Sequence, residues 1–260
     1  FDAVLLPGQR VNIHHDGKIR KGIIGRAPKH LLQDDDNVKS KNLWIDIAVS
    51  SKEEALEHVE LGDIITWTGE FEFLTDDIII SKAIDNRVGV YVCARVLEEL
   101  NNIKTYSSVY AVSNVQEEVG AAGAKTSSFY INPDIAIAID VTFAVDHPDT
   151  SIKDSADIKL GKGPAITMGS RINYKLFKHL KSIAEKENIP YQVEIYPGRT
   201  GTDLDSMFSE NTGSAGLLVS IPCRYMHSPN EMASWSDIEN TVKLLTAFIK
   251  SIENSNIRDL

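Results

Sequence analysis

From about residue 77 onward the chain alternates short apolar runs with longer amphipathic stretches, and this alternation limits its fold more than any other feature. Ile78-Ile79-Ile80 reads as a strand. Asp85 opens a helix to about Leu100, with Val88, Val92, Val96 and Leu100 at i+4 spacing along one face. Strands are predicted over Val109 to Val112 and Ile135 to Ile139, with a helix over Gly120 to Ser128 between them. A helix from Arg171 to Glu187 is stopped by Asn188-Ile189-Pro190. A strand over Tyr191 to Ile195, a helix over Thr202 to Glu210, a buried strand over Leu217 to Ile221 and a closing helix over Ser236 to Ile252 complete the pattern. Such a succession implies an α/β sheet with helices on both faces.

Residues 1–76 have a different texture. Short β-like runs, among them Arg10-Val11-Asn12-Ile13-His14 and Asp63-Ile64-Ile65-Thr66-Trp67, are separated by turn signals such as Asp16-Gly17. This spacing suggests a small barrel or sandwich. One helix interrupts it, capped by Ser50-Ser51 with Glu53 and Glu54 in its first turn. The expected division is therefore a β-rich domain over 1–76 and an α/β domain over 77–260.

The formal net charge is -10, from 27 Lys+Arg against 37 Asp+Glu, and the acidic residues are scattered. Without a basic cluster, a nucleic-acid partner is not expected. Two cysteines, Cys93 and Cys223, argue against a disulfide framework and for a reducing, cytoplasmic setting. No apolar run approaches the roughly 20 residues of a membrane helix, so no membrane partner is expected.

In open α/β sheets, ligands bind outside the carboxyl ends of the strands. Asp85 follows the strand at Ile78–Ile80, Glu117 and Glu118 follow the strand ending near Val112, Asp140 closes the run Ile135–Ile139, and His227 follows the strand ending at Ile221. Four carboxylates and an imidazole can thus converge on one crevice edge. Clustered carboxylates repel one another, and burial opposes their ionisation. Divalent cations relieve both, and this ligand set suits zinc, manganese or cobalt, with a carboxylate bridging two ions. One paired glutamate can then ligate while its neighbour serves a metal-bound water as general base. Taken singly, each residue has a plainer reading. Asp85 could be an N-cap, Glu117-Glu118 the acidic first turn of a helix, and His227 a satisfied polar residue. Asp140 is harder to dismiss, because a carboxylate ending an apolar strand is costly unless paired or metal-bound.

Five pieces of sequence carry a resemblance: Ala83-Ile84-Asp85-Asn86-Arg87; Val115-Gln116-Glu117-Glu118-Val119-Gly120 with Gly123-Ala124; Ile137-Ala138-Ile139-Asp140-Val141; Thr200-Gly201-Thr202-Asp203; and Arg224-Tyr225-Met226-His227-Ser228. In order and spacing the chain resembles the M42 metallo-aminopeptidases, the group of the tetrahedral and glutamyl aminopeptidases. The resemblance implies hydrolysis of N-terminal residues from short peptides with two divalent ions, zinc first, with cobalt or manganese as alternatives. It makes Asp85 the bridging ligand, Glu117 the base, Glu118 and His227 ligands of one metal, and Asp140 a ligand of the other. It implies that the opening segment is an inserted β-domain that pairs subunits, with further assembly into dodecamers. In the family a His-Met-Asp motif upstream of that domain completes the first metal site. The chain opens inside the domain, and His14, His15 and His30 do not replace that histidine, so a longer native protein is expected to supply it.

Other polar residues have smaller expected parts. Asp203 suits a helix start or a contact behind the ligands, and Arg199 could hold a substrate carboxylate; both are candidates for substrate binding. Asp205 has no assigned part. Cys223 and His147 read as structural. Two other classes of function stay open: a glycoside hydrolase, since paired carboxylates also cleave sugars, and a non-catalytic assembly subunit.

Overall fold

The computed structural model describes residues 3–28, 38–150 and 156–252; His30 lies outside them. It divides into two compact units. Among the described residues, one is built on those of 3–72 with the short segments 80–83 and 227–231, and the other on those of 73–79, 84–226 and 232–252.

The first unit is an antiparallel sheet of β1 (Arg10–His15), β2 (Lys18–Gly25), β3 (Trp44–Asp46) and β4 (Ile64–Trp67), in the order β3-β2-β1-β4. Asp16-Gly17, both at positive φ, forms the β1–β2 turn that the dipeptide predicts. Val11, Ile13, Ile24 and Ile47 are buried. The sheet is open among the described residues, with β3 and β4 at its edges, so the expected barrel closure is not seen. The predicted helix is there as one and a half turns, α1 (Lys52–Leu56). Its cap is reciprocal: Ser51 Oγ accepts from the Glu54 amide, and Glu54 Oε2 accepts from the Ser50 amide.

The second unit is framed by a seven-stranded mixed sheet. Its strands are β5 (Glu72–Phe73), β6 (Ile78–Ser81), β7 (Ile135–Phe143), β8 (Ala165–Gly169), β9 (Gln192–Tyr196), β10 (Ala215–Arg224) and β11 (Glu231–Ser234). The order is β5-β6-β11-β10-β8-β9, with β7 also on β10. β10 is the spine: it runs parallel to β7 over its first nine residues and antiparallel to β8 and β11. Eight consecutive residues of β10 are buried, so both of its faces are covered. The helices α2 (Ile84–Glu99), α4 (Tyr174–Lys186) and α6 (Trp235–Ser251) pack on this sheet and on one another. The valine stripe of α2 is buried as predicted. Asn173 caps α4 through Oδ1, and Ser234 caps α6 through Oγ. Two shorter helices, α3 (Ala122–Ile131) and α5 (Leu204–Met207), pack together.

Three sequence expectations need correction. Residues 108–114 form no strand: they carry exposed Tyr110 and Val112 and join no ladder. Asp140 does not end its strand, because the ladder with β10 continues to Phe143. The helix expected over Thr202 to Glu210 shrinks to the one turn Leu204–Met207, with Asp203 turned to Asn114 and Asp205 turned back to the Thr200 amide. β8 and β11 were not read from the sequence at all.

Candidate metal centre

Asp85 stands at the start of α2 but does not cap it. Its backbone is extended (φ -73°, ψ 109°), and its peptide bond to Asn86 is cis. The cap is Asn86, whose Oδ1 accepts from the Gly89 amide at 3.0 Å. Asn86 Nδ2 also donates to the Ile139 carbonyl at 2.7 Å, tying the helix start to β7 beside Asp140. The plainer reading of Asp85 therefore falls to its neighbour.

Glu117 and Glu118 do not belong to the first turn of α3. They lie in a separate 3₁₀ turn, Glu117–Val119, entered through Gln116 at φ 62° and left through Gly120 at φ 117°. Gly123 lets α3 close onto this turn, since a Cβ there would stand 2.5 Å from the Val115 amide nitrogen and carbonyl oxygen. The turn is thus clamped at both ends with its side chains projecting.

Asp140 is 8% exposed, and its Oδ1 accepts from the Val141 amide at 2.9 Å. Burial, together with the charges of Asp85, Glu117 and Asp203, pushes its carboxyl up to about 8. Glu117 is pushed up to about 7 by burial first, then by Glu118, Asp203, Asp85 and Asp205. Asp85, Glu117, Glu118, Asp140 and Asp203 line one cavity of about 830 Å³. Asp85 and Glu118 each offer one ligand atom, the two within 4.8 Å of one another, and His227 stands in the loop between β10 and β11. Asp85 thus stands beside Glu118 and within the electrostatic neighbourhood of Asp140. His227 is held at φ 64°, its amide donating to Glu231 Oε1 at 2.9 Å.

This donor set fits a divalent cation. Hard carboxylates are gathered, and the ionisation of two of them is opposed by burial and by the others. Asp203 precedes α5 without capping it; its Oδ2 accepts from Asn114 Nδ2 at 2.9 Å, and Asn114 is in turn held by the Ser127 hydroxyl. Arg199 is not on the cavity wall. Its side chain is 80% exposed and rests 3.4 Å from Asp205. Asp205, unassigned from sequence, organises the loop before α5: its carboxylate accepts from the Thr200 and Gly201 amides and the Thr200 hydroxyl, and Arg171 stands 3.3 Å away. Of these partners only Arg171 is remote in sequence. His14 and His15 pair with Thr66 and Asp63 on the first unit's sheet, and Cys223 is buried.

The profile of the family described as M42 glutamyl aminopeptidase matches residues 1–244. The chain belongs to the M42 peptidase family. The lysyl aminopeptidase of Pyrococcus furiosus is 35% identical over 253 residues, covering 95% of this chain and 72% of that protein. Among solved structures, a TET aminopeptidase from a marine sediment Thaumarchaeota archaeon superposes with a TM-score of 0.93 at 30% identity, covering 99% of this chain and 74% of that one. The Pyrococcus horikoshii TET1 peptidase, described as assembling into a tetrahedron or a large octahedral shell, gives 0.83 at 33% identity over 97% and 74%. The M42 fold and the TET neighbours support aminopeptidase activity for the chain, and the family is metal-dependent. No described helix is long and apolar enough to cross a membrane.

Proposed function

We propose that the protein is a two-metal aminopeptidase that removes N-terminal residues from short peptides. The observation that carries this is the gathering of Asp85, Glu117, Glu118 and Asp140 on one cavity, where their surroundings oppose the ionisation of Glu117 and Asp140. Asp85 would bridge two ions, Glu118 and His227 would hold one, and Asp140 the other. Zinc is the first choice, with cobalt or manganese as alternatives. When bound, such ions neutralise the cluster, acidify a water and polarise the scissile carbonyl.

Glu117 is the base. Beside Glu118 on the cavity wall, it can take a proton from the attacking water and return it to the leaving amine. The buried wall of β7 behind Asp140 keeps bulk water from one side of the site. Asp203, on the cavity wall, suits substrate binding; Arg199 would first have to release Asp205. The β-rich residues 1–76 form the dimerisation domain in this reading. The exposed Ile19, Ile23, Trp44, Ile64 and Ile65 of its sheet support that part, and assembly to a dodecamer would follow. Neither Cys93 nor Cys223 is in a disulfide, which agrees with a cytoplasmic setting.

The test is release of amino acids from short peptides by protein loaded with zinc or cobalt. Glu117→Gln should lose turnover and keep its metal. Unchanged turnover would remove Glu117 as the base, and cleavage of cellulose oligomers that survives a strong chelator would transfer the site to glycoside hydrolysis.

A further inference from the structure

β9 presents its residues the wrong way round for a sheet of this kind. Val193 and Ile195 are 41% and 67% exposed, whereas Glu194 between them is 2% exposed. Burying a carboxylate is costly unless donors satisfy it. Three hydroxyls from three other strands do so. Thr167 of β8 and Ser220 of β10 donate to Oε1 at 2.6 and 2.9 Å, and Thr142 of β7 donates to Oε2 at 2.7 Å. Two of these donors flank Asp140. Thr142 stands two residues further along β7, on the same face, and Ser220 is the residue registered directly opposite Asp140 in the parallel ladder. One buried carboxylate is therefore joined to the strand that carries Asp140 and to its neighbour across the ladder.

The geometry points to Glu194 as a positioning residue that sets the Asp140 carboxylate for metal binding through the Thr142 and Ser220 hydroxyls. This rests on the reading of Asp140 as a ligand. A metal site demands ligand placement to a fraction of an ångström, and contacts behind the ligands supply it. Their removal costs about 10–100-fold in metal affinity. A carboxylate does this better than an amide would, because it accepts from all three hydroxyls at once.

Two isosteric variants separate positioning from plain stability. Thr142→Val and Thr167→Val each remove one hydroxyl from Glu194, yet only the first cuts the link to Asp140's strand. Zinc alone is titrated into the whole protein against a chromophoric chelator, with thermal melting alongside. Thr142→Val is expected to weaken one zinc equivalent about 10–100-fold, Thr142→Ser to restore it, and Thr167→Val to leave both equivalents as in the wild type. Should Thr142→Val not fold, Ser220→Ala tests the same link from β10. Wild-type zinc binding by the Thr142 or Ser220 variant, or equal weakening by Thr167→Val, overturns the proposal. Asp140→Asn in the same titration separates the two readings. If it costs no zinc equivalent, the metal site itself is wrong; if it costs one while Thr142→Val costs nothing, only the role of Glu194 falls.

Discussion

Asp203 and Asp205 are two residues apart, and the fold treats their charges in opposite ways. Burial pushes Asp203 up, and the single bond from Asn114 offsets only part of it. Burial also pushes Asp205 up, but the amides of Thr200 and Gly201, the Thr200 hydroxyl and the charge of Arg171 outweigh it and leave this carboxyl below its usual range. Asp140 and Asp146 repeat the contrast. Asp140 is driven up to about 8, while Asp146, held by the Arg224 guanidinium at 2.8 and 2.7 Å, ends below its usual range. The chain therefore has the means to satisfy a buried acid and uses them on the neighbours of the cavity. In the cavity the acids are gathered against their own repulsion, which is the condition of a site prepared for cations.

The largest expected effect is on chemistry. Glu117→Gln removes the proposed proton acceptor but little volume, and kcat should fall about a thousandfold with metal content unchanged. A smaller fall, within tenfold, would place Glu117 among the structural acids and erase the contrast at its main point.

Next comes the pH dependence of the metal-free protein. Glu117 and Asp140 have folded values raised to about 7 and about 8. A raised carboxyl binds its proton more tightly in the folded state, so its stabilisation is complete below the unfolded value near 4 and is lost as pH rises through the folded value. The chelated protein should therefore melt at progressively lower temperature as pH is raised from about 5 to about 8. Zinc or cobalt should flatten that slope by favouring the charged forms. A flat profile in chelator would mean that the cluster is not frustrated.

Sequence reading reached the frustrated acids and missed the satisfied ones, for a physical reason. Asp140 stands out because five apolar residues precede it, and Asp85 and Glu117-Glu118 because they follow predicted strands. The valines of α2 were legible because their partners repeat every turn along one helix. Asp205 and Asp146 owe their roles to Thr200, Arg171 and Arg224, contacts that local pattern does not encode. Alternation alone would send Val193 and Ile195 inward and Glu194 to water, the reverse of what the three hydroxyls impose. β8 was missed because Pro164 and Gly169 bracket it like a loop, and residues 108–114 were overread because β-prone residues form no strand without a ladder.

A satisfied acid should show its effect in stability. Asp205→Asn forfeits the charge-assisted bonds and is expected to cost about 2 kcal/mol at neutral pH, measured by denaturant unfolding. The sign of the pH dependence is opposite to that of the cavity acids. Asp205 is depressed, so its contribution is present above the unfolded value near 4 and disappears as pH falls through the folded one. The gap between variant and wild type should close in acid, and a gap that persists there would assign the loss to packing.

The smallest effect belongs to acids satisfied in water. Glu98 and Glu99 both reach the Arg95 guanidinium from the outer face of α2, at i+3 and i+4. By contact alone they are as well paired as Asp205. Their solvation in the unfolded chain is nearly as good, however, and salt screens what remains. Glu98→Gln also leaves Glu99 on the same guanidinium. Its melting temperature should match the wild type at low and high salt alike. A clear loss would mean that pairing itself, rather than exclusion from water, decides which acids support this fold, and the contrast between Asp203 and Asp205 would then lose its explanation.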